Sequence, residues 1–501
     1  MLKFFSLPKT QLAALAVWAF MLPLWNLGMS VAMFFLLFVS VATAIEKKTF
    51  VLLPVLKNPI YLSFLVVWVL ILLGVFRGGE NNLLWKEIKT LLPLVLAPLF
   101  LQNLNPLSKS EESFIWKVFF SAVGISAFVC VVYAAVKYPL PEPRSASLFI
   151  SHIRFSLMAV LALIGAWGLP NVISLPFKIA LSIVVLLFFF FVGTLTGWGF
   201  LIVLIILLFA SKSKRNKFIV LGTTLTLAST LLFFLSKNTD STNFQPEQIE
   251  SSRGEKYIHQ PTNFQTENGN RIFINIAPVE LGAGWLGRTN RSMLEKDARG
   301  QLIQTTLIRY LASKGLSKDA AGIQQLTDRD ILNIQGGYTN CNEPHWNALE
   351  KRWHQIVFEY QTFKSGENPS GHSVFQRLEY YKAAKFIIQQ NLLFGVGQGN
   401  VKQAYHEAYI QTSPNLDEKV QHPVHNQFLS YWIAAGVFAL LCFLLYFFFM
   451  WKVACKNSLA LAFVVLAFLS CLTEDTLTTQ PGVAFFAFFS TFFFFLPKKE
   501  N

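Results

Sequence analysis

Apolar runs long enough to cross a bilayer recur along this chain, and no other feature narrows its possible folds so far. A hydrocarbon core about 30 Å thick takes roughly 20 helical residues. Inside it every backbone N–H and C=O has to be paired within the segment, which leaves helices or closed barrels. Twelve runs occur, at about 11–25, 28–45, 59–76, 88–101, 114–136, 153–169, 178–192, 196–210, 218–235, 427–450, 457–473 and 482–496. Several are short. Asn26-Leu27-Gly28 and Gly193-Thr194-Leu195-Thr196-Gly197 read as breaks between neighbouring runs. Charged residues make up 14%, well under the quarter usual in a soluble domain. The first run leads straight into the second, so it reads as an uncleaved span rather than a signal peptide. The expected fold class is an all-α polytopic membrane protein of about 12 transmembrane helices.

Positive charge orients it, since cytoplasmic loops collect Lys and Arg. With the N-terminus inside and twelve alternating spans, fifteen basic residues of the membrane part fall on the inner side, Lys212, Lys214, Arg215 and Lys217 among them. Six fall outside: Arg77, Lys86, Lys89, Lys137, Arg144 and Arg154. Both termini are then cytoplasmic, and the one large polar loop faces outward. Residues 236–427 hold 20 basic and 19 acidic side chains. The net charge of +14 therefore belongs to the membrane rim and gives no reason to invoke nucleic acid. The expected organisation is a membrane domain at 1–235 with about nine spans, an extracytoplasmic loop domain at 236–426, and a C-terminal membrane part at 427–501 with about three spans.

The loop reads as mainly α-helical. Residues 238–270 are polar and irregular in pattern. Gln301–Ser313 has helical periodicity with Gly315 as a stop, and Ser317 begins a short helix. Thr327-Asp328-Arg329-Asp330 has the form of a capping box. His345–Lys364 is amphipathic and closed by Gly366, and Ser373–Gln390 is the next helix, closed near Gly395. The five cysteines support neither a disulfide framework nor a CxxC zinc site. A single Cys341–Cys471 bridge stays open beside the preferred reading of free, buried thiols.

Two apparent motifs fail on spacing. Gly395-Val-Gly397-Gln-Gly399-Asn400 lacks the preceding strand and the third glycine of a dinucleotide fingerprint, and reads as a turn between helices. His406-Glu407 lacks the second His of a zinc-protease helix, because position 410 is Ile410. The span interiors hold almost no ionisable groups, which counts against an ion-coupled transporter. Polar groups gather instead on the outer rim: Arg77, Arg144, His152 and Arg154, then His422, His425 and Asn426, then Glu474 and Asp475. His422-Pro-Val-His425-Asn426 puts two imidazoles and an amide where the large loop re-enters an apolar run.

His425-Asn426, nine residues, then Gly436 resembles the signature of the O-antigen ligase family, bacterial inner-membrane glycosyltransferases related to O-antigen polymerases and protein O-oligosaccharyltransferases. After that Gly the pattern has two residues and then Gly, Thr or Tyr, where this chain has Ala439. Arg377-Leu-Glu-Tyr-Tyr-Lys-Ala-Ala with Leu393-Phe-Gly-Val-Gly-Gln-Gly-Asn400 is similar to the stretch before the family's His. Leu472-Thr-Glu-Asp-Thr-Leu477 with Gln480-Pro-Gly resembles its outer turn before the last span, and Ser151-His-Ile-Arg-Phe-Ser156 resembles its outer lead into a mid-chain span. The family's Ser-Arg pair has no counterpart in Gly193-Thr-Leu-Thr-Gly-Trp198. Another cation, from Arg154, Arg144 or Arg77, is the preferred substitute, with altered activity as the other reading.

The resemblance implies a GT-C-like glycosyltransferase of the bacterial inner membrane with a periplasmic loop. It implies transfer of a glycan from undecaprenyl diphosphate to an acceptor hydroxyl, lipid A-core first among acceptors. His425 is expected as the base, with Asn426 beside it and His422, His152, Glu474 and Asp475 in support. Arg377, Arg154, Arg144 and Arg77 are the candidate cations for the diphosphate, because guanidinium makes paired charge-assisted bonds to phosphate. No cofactor or metal is called for. The competing readings are a polymerase or protein O-oligosaccharyltransferase, a lipid-linked glycan transporter, and a non-catalytic assembly factor.

Overall fold

The computed structural model describes residues 7–48, 51–137, 143–210, 247–259, 265–346, 348–364, 376–414 and 416–499. The ninth apolar run, the basic cluster Lys212–Lys217 and Gly366 lie outside the described residues. Within them the chain is helical, with isolated bridges in place of strands. It divides into two compact units. One comprises Met1–Val136, Arg144–Phe218 and Arg377–Asn501; the other Lys137–Pro143 and Ile219–Gln376.

The first unit holds α1 (Leu7–Met21), α2 (Asn26–Glu46), α3 (Pro59–Leu72), α4 (Asn81–Leu101), α5 (Lys109–Val136), α6 (His152–Gly168), α7 (Leu175–Val192) and α8 (Leu195–Ala210). Five described helices are long and apolar enough to cross a membrane: α2, α3 with its 3-10 extension to Arg77, α5, α7, and a later helix at Val437–Ala454. Four shorter apolar helices accompany them, at His152–Gly168, Leu195–Ile205, Ser458–Thr473 and Gln480–Phe494. The expected break after residue 192 is real. Gly193 takes a left-handed φ of +63° and closes α7, a conformation that costs glycine little.

The second unit runs through α9 (Pro278–Thr289), α10 (Ile303–Ser313), α11 (Ala320–Gln324), α12 (Asp328–Gln335) and α13 (Ala348–Lys364). Its core is Trp285, Leu307, Tyr310, Leu311, Ile323 and Ile334. The capping box at Thr327 forms as expected, with Thr327 and Asp330 each bonding the other's backbone N–H. Burial alone pushes the Asp330 carboxyl up, but bonds from Lys314, Tyr310 and Thr327 hold it down at about 2. Sequence periodicity did not single out α9.

The first unit resumes with α14 (Gln376–Gln390), α15 (Val401–Thr412), α16 (Gln427–Ala435), α17 (Val437–Ala454), α18 (Ser458–Thr473) and α19 (Gln480–Phe494). The Phe-rich α19 is almost wholly buried from Gly482 to Phe492. Its rings meet Trp18 of α1 (Phe488, 5.1 Å), Phe119 of α5 (Phe489, 5.0 Å) and Phe463 of α18 (Phe485, 5.7 Å). Lipid is as apolar as these side chains, so close packing rather than exclusion from water holds such helices together.

Two breaks differ from expectation. Asn26-Leu27-Gly28 is helical and opens α2, the break lying earlier at Leu22–Trp25. Residues 427–450 form two helices, broken at Gly436, where φ is +85°. A Cβ there would fall 2.0 Å from the Leu393 carbonyl oxygen. The Leu392–Gly397 turn is bonded into the break: Val437 N donates to Leu392 O (3.1 Å), Val396 N to Ile433 O (2.8 Å) and Gly397 N to Ala434 O (2.9 Å). Such open backbone within an apolar stretch stands only where another segment pairs it.

Candidate active site

His425 sits in the left-handed region, with φ +51°, uncommon for a residue with a Cβ. Anchors on both sides hold it there. Before it, Val424 is buried and its N–H donates to the Tyr405 hydroxyl (3.1 Å). After it, Asn426 caps α16, its Oδ1 accepting from Phe428 N (3.0 Å) and Leu429 N (3.1 Å). Asn426 Nδ2 also donates to Leu472 O (3.1 Å). Asn426 is therefore committed to fixing the start of the helix. The His422 carbonyl accepts from Tyr409 (2.5 Å), and its ring lies 6.3 Å from that of His425. Tyr380 lies beside both imidazoles, 5.7 Å from the His425 ring and 6.2 Å from that of His422.

The imidazole faces two carboxylates. His425 Nδ1 is 3.9 Å from Glu474 Oε2 and 3.9 Å from Asp475 Oδ2. Glu474 also takes Arg377, whose Nη2 donates to Oε1 at 2.6 Å while its Nη1 donates to Thr473 O at 3.0 Å. Arg154 approaches the other oxygen at 4.0 Å. Its Nε donates to Thr479 Oγ1 (3.1 Å) and its Nη2 to Asp475 O (3.2 Å). Asp475 Oδ1 accepts from Ser430 of α16 (2.6 Å). Two arginines, one histidine and two carboxylates thus share one cluster.

Exposure separates their roles. Arg154 is only 6% exposed, so it braces the Glu474–Asp475 turn from within. The Arg377 and His425 side chains keep 39% and 33% of their surface and are the two members an incoming molecule can reach. Burial lowers the His425 pKa below the ordinary imidazole value, although Glu474 and Asp475 pull the other way. The ring is therefore neutral at pH 7 and able to accept a proton. Burial pushes the Asp475 carboxyl up.

The remaining rim residues are distributed otherwise. Arg77 donates to the Gly395 carbonyl and lies over the Phe394 ring at 5.7 Å, which ties the glycine turn to the end of α3. Glu80 N donates to Gly399 O (2.9 Å) in the same junction, so the Gly395–Asn400 stretch packs backbone against backbone. Arg144 lies exposed in a 3-10 turn at Pro143–Ala146. His152 begins α6, and its carbonyl accepts from Ser156 (2.7 Å). The five cysteines are free thiols, so no Cys341–Cys471 bridge forms; Cys130 and Cys471 are buried, Cys341 and Cys442 partly so, and Cys455 exposed.

Sequence reading had not singled out Tyr380, Ser430 or Thr479. Tyr380 was reachable, because it follows Arg377 by three residues and shares its helix face. Ser430 and Thr479 carry no local signal. Their place follows from the packing of α16 and α19.

Comparison with known proteins points the same way. The profile of a family described as O-antigen ligase matches residues 344–444, which contain Arg377, Tyr380, His422, His425, Asn426 and Gly436. No curated protein sequence matches the chain. The family match supports a glycan-transfer role in O-antigen assembly and a membrane setting. Over residues 344–444, about a fifth of the chain, the protein is similar to the O-antigen ligase family.

Proposed function

We propose that the chain transfers a glycan from undecaprenyl diphosphate to a hydroxyl of an acceptor, lipid A-core first among candidates, at the periplasmic face of the bacterial inner membrane. In this reading the chain spans the membrane about twelve times, with both termini cytoplasmic and the large loop periplasmic. The observation that carries it is the pairing of one reachable base and one reachable cation on a shared carboxylate: His425 at 3.9 Å and Arg377 at 2.6 Å from Glu474.

His425 presents Nδ1 to the carboxylates, which leaves Nε2 for the acceptor. Nε2 takes the hydroxyl proton as the acceptor oxygen attacks the anomeric carbon. The bond from that carbon to the diphosphate oxygen breaks, and undecaprenyl diphosphate leaves as an anion against Arg377. Glu474 and Asp475 stabilise the imidazolium that forms, as the carboxylate does in a Ser-His-Asp triad. The proton then passes to solvent, and the base is restored. Arg154 acts through the turn it braces. Its burial speaks against Arg154 as the cation that meets the diphosphate and leaves that part to Arg377. The Arg154 helix bonds the Gly193–Trp198 segment, where the family's Arg is missing, through Ser156 Oγ and Thr194 Oγ1 (3.2 Å).

The test is deletion of the gene, complementation with variants, and analysis of surface glycans. Loss of long chains from lipopolysaccharide on deletion identifies a ligase. Single-repeat products identify a polymerase, and loss from glycoprotein alone a protein-directed enzyme. His425→Ala should cut transfer by about 10²–10⁴ at normal membrane levels. Arg377→Ala should lose most activity, and Arg377→Lys should recover part of it, because a point charge replaces a fork. Normal transfer by His425→Ala would remove the base and favour a transporter or assembly factor.

A further inference from the structure

A second feature of the first unit lies apart from the His425 cluster. Helices α1, α2, α4 and α19 line an open pocket of about 350 Å³, within the range of small-ligand sites. Its walls are apolar, with Trp18, Met29, Met33 and Val483 among them. Its polar members are Lys89 and Thr90 of α4, Ser30 of α2 and Gln480 of α19.

The polar side offers donors. Lys89 has no ion pair or hydrogen bond among the described residues, although it stands nine residues into a helix that turns wholly apolar after Thr90. Ser30 accepts from Gln480 Nε2 (2.5 Å), which leaves its own hydroxyl hydrogen to give. Trp18, fully buried at the pocket wall, has an indole N–H with no partner. Lys89 is exposed at the pocket mouth, where its ammonium can meet an anion whose apolar part lies against the walls.

We propose that this pocket binds one anionic phospholipid of the surrounding bilayer, its phosphate on Lys89 and Ser30 and its chain along Met29, Met33 and Trp18. A single Lys is a point charge suited to a singly charged phosphodiester. The forked guanidinium groups suited to a diphosphate sit in the other cluster. Gln480 follows Thr479, to which Arg154 is bonded, so a seated lipid stiffens the base of the turn carrying Glu474 and Asp475. The proposal does not rest on the transferase reading, because binding is measured without turnover.

The experiment is native mass spectrometry of the purified full-length chain in detergent. Phosphatidylglycerol, phosphatidylcholine with the same acyl chains, and undecaprenyl phosphate serve as probes. Wild type should retain one phosphatidylglycerol about tenfold more tightly than phosphatidylcholine, whose phosphate is the same but whose choline cation neutralises the headgroup and repels the Lys89 ammonium. Lys89→Gln should abolish that preference and Lys89→Arg restore it. Met33→Trp, which fills the pocket, should lower retention of both phospholipids. Equal retention of the two phospholipids by wild type, or an undiminished preference in Lys89→Gln, overturns the proposal. Tighter, Lys89-dependent retention of undecaprenyl phosphate would overturn the assigned occupant and give the pocket to a polyprenyl lipid.

Discussion

Replacing Glu474 by Gln tests whether the cluster is held by charge. The substitution keeps the shape and one acceptor oxygen for Arg377 but removes the anion that faces Arg154 at 4.0 Å. The Glu474 and Arg154 side chains are 10% and 7% exposed. At an effective dielectric of about 20 the attraction across 4 Å is roughly 4 kcal/mol. Stripping one partner from a buried pair costs about 3–5 kcal/mol, and Asp475 remains as a second anion. The expected loss of stability is therefore about 2–4 kcal/mol. The Arg377 side adds less than about 1 kcal/mol, because that guanidinium is well exposed. Equilibrium unfolding of the purified chain in mixed detergent measures it, in a cycle with Arg154→Met. Losing both charges at once removes the Arg154–Glu474 pair whole and leaves Asp475 with Ser430 as its partner, so the double variant should be more stable than the two single losses sum to, by about 1–2 kcal/mol. A Glu474→Gln variant within about 0.5 kcal/mol of wild type, or strict additivity in the cycle, would refute the reasoning.

Two other perturbations address the base and the break. Burial lowers the His425 pKa, and only the neutral ring accepts a proton. Transfer in vitro should therefore persist below the ordinary imidazole value and fall as pH drops through the lowered one. Asp475→Asn removes an anion that raises that pKa, so the acidic limb should move further down while the plateau falls about tenfold, from roughly 1.4 kcal/mol of lost imidazolium stabilisation; an unmoved limb would free His425 from Asp475. Gly436→Ala puts a Cβ 2.0 Å from the Leu393 carbonyl oxygen at φ +85°, and should destabilise the chain by at least about 1–3 kcal/mol, read as lost thermal stability in detergent.

Much of the helix pattern was legible because its signals are local. The apolar runs at 59–76, 114–136 and 178–192 carry the length and composition that a bilayer demands, and Thr327 with Asp330 satisfies a capping rule within four residues. The Gly436 break was not legible as a break. Its cause lies in Leu393, 43 residues earlier in the chain, whose carbonyl fills the space a side chain would need. The same limit governs the site. His425 and Arg377 stood out because the motifs around them resemble those of a known family, and Arg154 by being a cation in an apolar lead-in. That Arg154 is buried under Glu474, while Arg77 is spent on Gly395, depends on which helices meet. No window of sequence contains that information. Tyr380 falls between the two cases, since its spacing from Arg377 was readable but its meeting with His425 was not.

The cluster is joined by α16, and this bears on how the reactive groups keep their geometry. Three side chains near the start of that helix reach the stretch 472–477. Asn426 Nδ2 donates to Leu472 O (3.1 Å), Gln427 Oε1 accepts from Leu477 N (2.8 Å), and Ser430 donates to Asp475 Oδ1 (2.6 Å). The matched segment 344–444 contributes the base and the reachable cation. The carboxylates that face them come from the turn between α18 and α19, beyond it. Three bonds from one rigid helical end fix that turn in both position and rotation. Glu474 and Asp475 are thereby held opposite His425 by the same helix whose cap, Asn426, fixes His425 itself. Imidazole and carboxylates share one frame, so motion elsewhere in the chain that carries α16 carries both together. The distance a proton-accepting ring depends on is then set by the start of α16 rather than by the loops that reach it.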